Sequence, residues 1–89
     1  MPEIKVAIQA PVGLHARPAS LFVQTAKRHK SDIRVIYDER SANAKSILSV
    51  LGLGAGKGAE LTIQADGDDA EDALAALHSL ISDNFGEPA

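Results

Sequence analysis

Apolar and polar side chains alternate in three short segments of the chain, and this alternation is typical of β-strands with one buried face. The apolar positions of these segments are Ile4, Val6 and Ile8, then Ile33, Val35 and Tyr37, and finally Leu61, Ile63 and Ala65. A further short strand is predicted over Arg40 to Asn43, which follows the second segment after Asp38 and Glu39. This pair of residues lacks the glycine that two-residue hairpins favour, so the conformation of the turn stays open.

Between these segments the apolar spacing changes to that of amphipathic helices. The first helix is predicted to begin near Pro18, because Arg17 precedes a proline and is biased away from helical conformation. A short helix is predicted to follow Ser46 and to end at Gly52 or Gly54. The apolar stripes of the two longer helices are Ala19, Phe22, Val23 and Ala26, and then Ala70, Ala73, Leu74, Leu77 and Ile81.

The predicted order of elements is β-α-β-β-α-β-α. This order favours the α+β class, with the helices on one face of an antiparallel sheet. The chain has 89 residues, and residues 1–89 are predicted to form a single small domain. We find no internal repeat, linker or low-complexity segment that would divide it.

Composition removes several classes of function. The chain has no cysteine, which excludes disulfides and thiolate metal sites. Its formal net charge of −3 argues against non-specific binding to nucleic acid, and no apolar run approaches the length of a membrane span. The glycine-rich residues 52–58 lack the serine or threonine that follows lysine in a nucleotide-binding loop. We therefore expect a cytoplasmic protein with no cofactor, no metal, and no nucleic-acid or membrane partner.

His15 carries the most distinctive chemistry, because Gly13-Leu14-His15-Ala16-Arg17-Pro18-Ala19 joins the first strand to the first helix. Backbone N–H groups at a helix start lack intrahelical acceptors, and we expect those of residues 16, 17, 19 and 20 to favour an anion. A neutral imidazole can attack phosphorus, and the guanidinium of Arg17 can bind the oxygen atoms of the transferred group. The segment therefore suits a group that accepts a phosphoryl unit and then gives it up.

Two other interpretations of His15 stay open at this point. A short motif of this kind is common by chance, and a histidine at a helix start can be an exposed residue with no chemical role. A metal site is the other alternative, but His29 and His78 show no ligand spacing to His15.

Ser46 also has two interpretations. Its hydroxyl can cap the short helix by accepting a backbone N–H, which stabilises a helix by about 1 kcal/mol. Alternatively, Ser46 is a phosphorylation site, because a phosphoserine is tolerated at a helix N-terminus and changes the charge of the surrounding surface.

Leu21 and Leu48 fall outside the predicted core faces of their helices. They are either exposed near His15, as a patch on which protein partners dock, or covered by loops. The residues predicted to form this docking patch are Ser20, Leu21, Gln24, Ile47, Leu48 and Leu51.

These motifs resemble those of HPr, the histidine-containing phosphocarrier family of the bacterial phosphoenolpyruvate-dependent sugar phosphotransferase system. The segment around His15 is similar to the family's active-site signature, and Asn43-Ala44-Lys45-Ser46-Ile47-Leu48 is similar to its regulatory-serine signature. Lys57-Gly58-Ala59-Glu60 and Asp72-Ala73-Leu74 also recur in members of the Gram-positive type.

The resemblance implies an open-faced β-sandwich, in which a four-stranded antiparallel sheet carries three helices on one face. It implies that His15 accepts a phosphoryl group on Nδ1 from phosphorylated enzyme I and passes it to enzyme IIA domains. Arg17 and the backbone of Ala16 and Arg17 would assist. Ser46 would be the substrate of an HPr kinase/phosphorylase, and a transcriptional regulator would bind the modified form in some lineages. The protein would be a monomeric carrier in sugar uptake and not an enzyme.

Two departures from the family pattern affect these expectations. Gln24 stands where many members carry a basic docking residue, and Asp38-Glu39 replaces a turn that contains glycine. Two other functions stay open: a mainly regulatory HPr paralogue in carbon or nitrogen signalling, and a small α+β domain that binds a ligand or metal and uses His15 structurally.

Overall fold

The computed structural model of the protein describes residues 2–8, 16–56, 58–83 and 85. Its elements in chain order are β1 (Glu3–Ala7), α1 (Ala16–Lys27), β2 (Asp32–Tyr37), β3 (Arg40–Asn43), α2 (Ile47–Leu51), β4 (Glu60–Asp66) and α3 (Ala70–Ser82). The element order and the fold class predicted from the sequence are confirmed. His15, on which the predicted chemistry depends, lies outside the described residues.

The four strands form one antiparallel sheet in the order β1-β4-β2-β3. β4 therefore lies between β1 and β2, and Ile63 faces both Ile4 and Val35 across the sheet. Since successive side chains of a strand point to opposite faces, this row of apolar residues defines the buried face. The next row, which includes Glu3 opposite Gln64, lies on the polar face of an open sheet.

The helices cover the apolar face of the sheet. α3 contacts β1 and β4, while α1 lies against α2 and α3. Burial of a large aliphatic or aromatic side chain contributes about 1.5–3 kcal/mol, so a few such residues dominate this core. The largest fully buried ones are Phe22, Ile8, Leu61, Ile63, Leu77, Ile81, Val35 and Val50.

Two local predictions need correction or completion. α1 begins at Ala16 and not near Pro18. Proline at the third helical position sacrifices no hydrogen bond, because the first N–H groups of a helix have no intrahelical acceptor, and the Pro18 ring is fully buried. In the β2–β3 turn, Asp38 supplies the left-handed conformation at φ 57°, which aspartate tolerates better than most residues.

Candidate functional site

The start of α1 combines a cation with backbone N–H groups that lack intrahelical acceptors. Arg17 lies in the first turn and is exposed, and this turn contains no acidic residue. Because the helix begins at Ala16 and Pro18 has no N–H, the N–H groups of Ala16 and Arg17 are the ones in its first three residues that lack an intrahelical acceptor. The prediction for residues 19 and 20 was wrong, since N–H groups from the fourth residue of a helix onward have acceptors four residues back in the regular pattern. The local field at this helix start favours a negative group.

The face of α1 that follows Arg17 is polar, with one apolar residue. The Gln24 Nε2 atom donates a hydrogen bond to Ser20 Oγ at 3.2 Å, as expected for residues four positions apart on a helix. Gln24 is exposed and Ser20 is half-buried. Leu21 is also half-buried and packs against the core, so it is less exposed than the docking hypothesis assumes.

α2 presents the most exposed large apolar side chain among the described residues. Leu48 is 80% exposed and Ile47 is 38% exposed, whereas Val50 is fully buried and Leu51 is half-buried. α2 contacts α1, the helix that carries Arg17. The prediction that Leu48 lies off the core face is confirmed. The relation of this surface to His15 lies outside the described residues.

Ser46 caps α2. Its backbone is extended, with φ −118° and ψ 114°, and its Oγ accepts a hydrogen bond from the Ser49 N–H at 3.4 Å. The capping interpretation is therefore confirmed. The distance is long for an N–H···O hydrogen bond, so the hydroxyl is held only weakly.

Lys45 connects the segment before α2 to the end of α1. Its Nζ atom donates to the carbonyl oxygen of His29 at 2.8 Å, and its backbone N–H donates to Asn43 Oδ1 at 2.9 Å. A cation close to the C-terminal end of a helix complements the helix dipole. This role of Lys45 was not predictable from local sequence, because its acceptor comes from a distant part of the chain.

Asp69 forms a second polar cluster that the sequence did not reveal. Its carboxylate accepts hydrogen bonds from the Ser31 hydroxyl, from the Lys30 N–H at 2.8 Å and from the Ser31 N–H at 2.9 Å. These donors, with the Ser31 hydroxyl as the largest contribution, lower the pKa of Asp69 from 3.8 to about 2, against a smaller opposing effect of desolvation. The cluster fixes the loop between α1 and β2 to the start of α3, which is a structural task.

The residues that the structure describes contain neither a cluster of metal-ligating side chains nor a membrane-spanning helix. Among them, no three histidine or acidic side chains come together as metal ligands. Within the same residues, no helix has the length and apolar character needed to cross a lipid bilayer.

The fold and this helix start define a class: a small α+β domain that offers an anion a guanidinium and backbone donors. A family model described as "PTS HPr component phosphorylation site" matches residues 2–83. The chain therefore belongs to the HPr family of phosphocarriers, as the sequence motifs suggested.

Solved structures of related proteins agree with this assignment. HPr-C-His from Thermoanaerobacter tengcongensis is 46% identical, with a TM-score of 0.97 over 100% of both chains. An HPr dimer from the same organism is 47% identical, with a TM-score of 0.79 over 98% of this chain and 100% of that chain. The Bacillus subtilis catabolite repression protein Crh, described as a dimer with a swapping domain, is 39% identical, with a TM-score of 0.75 over 94% and 97% of the two chains.

Proposed function

We propose that this protein accepts a phosphoryl group on His15 from phosphorylated enzyme I and passes it to enzyme IIA domains during sugar uptake in the cytoplasm. The family match carries this proposal, because residues 2–83 include the complete His15 motif. A bond forms between phosphorus and Nδ1 of His15 as the bond between phosphorus and enzyme I breaks. The protein is then a stoichiometric carrier, since the second transfer restores the unmodified imidazole.

The start of α1 supports the role of Arg17 in this transfer. Phosphoryl transfer depends on positioning and on stabilisation of charge spread over three oxygen atoms. Arg17 immediately follows Ala16 at the beginning of the helix, and its planar guanidinium can bind two of these oxygens. The backbone N–H groups of Ala16 and Arg17 can donate further hydrogen bonds to the transferred group.

The docking patch supports a protein partner and not a small substrate. A leucine that is 80% exposed on a short helix is suited to burial in an interface, and Leu48 lies beside half-buried Leu51. We assign enzyme I and the enzyme IIA domains to this shared surface. Gln24 supplies hydrogen bonding but no positive charge there, so apolar contact carries more of the binding.

Ser46 is proposed as a regulatory phosphorylation site for an HPr kinase/phosphorylase. Its hydroxyl is only weakly engaged at the start of α2 and lies two residues before Leu48. A phosphate at Ser46 would place negative charge at the edge of the docking patch and weaken the binding of an acidic partner. The modified surface would be the one that a transcriptional regulator recognises.

One experiment tests the carrier function directly. The protein is incubated with enzyme I, Mg²⁺ and phosphoenolpyruvate, and the products are analysed by intact mass and by stability to acid. We expect one acid-labile phosphoryl adduct on the wild-type protein and none on His15→Ala. His78→Ala is the matched control, because it removes an exposed histidine from α3 and should leave the adduct intact. An adduct of equal yield on His15→Ala would contradict the proposal.

A second candidate function is that of a regulatory paralogue that acts mainly through Ser46. The likeness to Crh at 39% identity favours it. Adding an enzyme IIA domain to this assay, and running a parallel assay with ATP and the kinase, separates the two functions, since a carrier passes the phosphoryl group from His15 to the enzyme IIA domain. A purely regulatory protein is modified by ATP and the kinase on Ser46 and gives no such transfer.

A further inference from the structure

The docking patch is built from two helices, so its shape depends on how α2 lies against α1. Its residues fall into two groups, one on each helix: Ser20, Leu21 and Gln24, and then Ile47, Leu48 and Leu51. A protein partner that docks on such a surface contacts both helices at once. Freedom of α2 relative to α1 therefore weakens docking, because the partner binds only the correct arrangement.

α2 is too short to hold this arrangement by itself. It has five residues, and isolated helices of that length are not stable in water. Val50 is its buried side chain, whereas Leu48 is exposed. The side-chain contacts at its two ends are long, since the Ser46 cap accepts at 3.4 Å and Arg40 Nη1 donates to the Gly52 carbonyl at 3.4 Å. Both distances exceed the usual range of an N–H···O hydrogen bond.

The sheet fixes the point from which α2 departs. The Ala44 N–H donates to the Ile33 carbonyl of β2 at 3.0 Å, and Ala44 is fully buried. Asn43 then closes a turn, because its carbonyl accepts from the Ser46 N–H at 3.0 Å and its Oδ1 accepts from the Lys45 N–H at 2.9 Å. This turn fixes the backbone of Lys45, but none of these bonds extends to α1.

The Lys45 side chain supplies a contact that does extend to the end of α1. Its Nζ atom donates to the His29 carbonyl at 2.8 Å, two residues beyond the last residue of the helix. This length is that of a charge-assisted hydrogen bond, which is about twice as strong as one between neutral groups. His29 is itself held to the helix, since its N–H donates to the Ala26 carbonyl at 3.2 Å. Lys45 therefore bonds to a fixed acceptor.

We propose that Lys45 is a positioning residue of the docking patch, because its bond to the His29 carbonyl holds α2 against α1 in the arrangement that enzyme I recognises. This role rests on the proposed carrier function and adds to it a residue that acts through the position of α2. Without the bond, α2 keeps its link to the sheet and loses its link to the end of α1. Enzyme I then binds only the fraction of molecules in which α2 has the correct position.

Steady-state kinetics of transfer from phosphorylated enzyme I test this role. Lys45→Met keeps most of the aliphatic chain and removes the donor. The KM of enzyme I for the protein should rise about tenfold, the factor expected when a conformational equilibrium loses one hydrogen bond to a charged group. The kcat should not change, because saturating enzyme I selects the correctly positioned molecules. Lys45→Arg retains a cationic donor and should keep KM close to the wild-type value.

Arg40→Met is the matched control, because it removes an exposed cation and the long contact to Gly52 at the other end of α2. Its KM should stay close to that of the wild type. An equal rise in KM for Arg40→Met and Lys45→Met would indicate general charge attraction and would overturn the proposal. So would an unchanged KM in Lys45→Met, an effect confined to kcat, or a defect in Lys45→Arg as large as that in Lys45→Met.

Amide hydrogen exchange of the free protein separates positioning from direct contact with the partner. In Lys45→Met the N–H groups of Ser46 and Ser49, which donate to the Asn43 carbonyl and to Ser46 Oγ, should exchange about tenfold faster than in the wild type. Unchanged exchange together with a raised KM would mean that enzyme I touches Lys45 itself, which would overturn the proposal. This measurement needs no phosphoryl transfer. It therefore decides whether Lys45 anchors α2 even if the carrier function fails, which would appear as no adduct on the wild-type protein.

Discussion

The starts of α1 and α3 are chemically opposite, although both are helix N-termini that favour negative charge. In α1 the first turn carries Arg17 and no acidic residue. In α3 the first turn carries Glu71 and Asp72, and Asp69 stands at the N-cap position. The positive end of α3 is therefore accompanied by carboxylates of the chain itself, whereas the first turn of α1 carries a guanidinium and no carboxylate.

The positive potential at a helix N-terminus therefore has a different role at each of the two positions. At α3 the carboxylates stabilise the helix, and Asp69 also holds the Lys30 and Ser31 N–H groups of a distant loop. At α1 the proposed phosphoryl transfer would use the same field to stabilise a transient anion, and Arg17 would strengthen that field. We therefore expect changes at α1 to affect phosphoryl transfer, and changes near α3 to affect stability.

Arg17→Ala should have the largest effect, and it tests whether the start of α1 serves phosphoryl transfer. Loss of one donor to a transferring group typically slows a reaction about a hundredfold, which corresponds to about 2.7 kcal/mol. We expect a decrease of that order in the rate of transfer from phosphorylated enzyme I, measured by rapid quench, with little change in thermal stability. Arg28→Ala removes an exposed cation just beyond the other end of α1 and serves as the control. Equal rates for Arg17→Ala and Arg28→Ala would remove Arg17 from the mechanism.

Gly67→Ala tests whether the contact between the residues before α3 and the loop between α1 and β2 stabilises the protein. Gly67 has φ 153°, and an added Cβ would lie 2.5 Å from Ser31 Oγ and 2.8 Å from Ser31 Cα. Relief of this clash requires the loop between α1 and β2, which contains Ser31, to move away from the start of α3. The free energy of unfolding should therefore fall by about 1–3 kcal/mol in urea denaturation. Gly56→Ala is the matched change, because an added Cβ there has no atom within 4 Å. Equal stabilities of the two variants would show that the close approach of Gly67 to Ser31 is unimportant.

Asp69→Asn should give a smaller loss of stability with a definite pH dependence. An amide offers one acceptor oxygen in place of two, so at least one of the Lys30 and Ser31 donors loses its partner. The pKa of Asp69 is lowered from 3.8 to about 2 in the folded protein, so its stabilisation is present above pH 3.8 and is lost as the pH falls through about 2. The difference between wild type and Asp69→Asn should therefore be constant near neutral pH and disappear in strong acid.

The control for this pH profile is Asp68→Asn, which neutralises the exposed neighbouring carboxylate. Its stability should stay close to that of the wild type at all pH values, and phosphoryl transfer should be normal in both variants. A stability difference for Asp69→Asn that persists below pH 2 would mean that ionisation of Asp69 is not its source.

The sheet and the long helices were predictable because their signals are local. Alternation around Val6, Val35 and Ile63 identifies strands directly, and the stripe that ends at Ile81 identifies α3. The start of α1 was misplaced by two residues, because the bias of a residue before proline is local and the burial of Pro18 is a tertiary effect.

The polar clusters could not be predicted, since their partners are distant in sequence. The Asp69 carboxylate, which follows β4, accepts hydrogen bonds from Lys30 and Ser31, which precede β2. Lys45 donates to the carbonyl of His29. In the sequence, Asp69 is only an acidic residue directly before the apolar stripe that begins at Ala70. The possible chemistry of the candidate site was easier to predict from the sequence, because His15, Arg17 and Ser46 lie in short motifs whose residue types indicate their possible roles.

The position of β4 has a consequence for how the chain reaches this structure. Among the described strands, β1 leaves the ribosome first, yet its neighbour β4 leaves last. Until Glu60 to Asp66 have been synthesised, β1 has no strand to join, and β2 and β3 form only an isolated hairpin, which is marginally stable in water. The sheet therefore assembles in one late step, and a nascent chain that stalls before β4 should be a substrate for proteolysis.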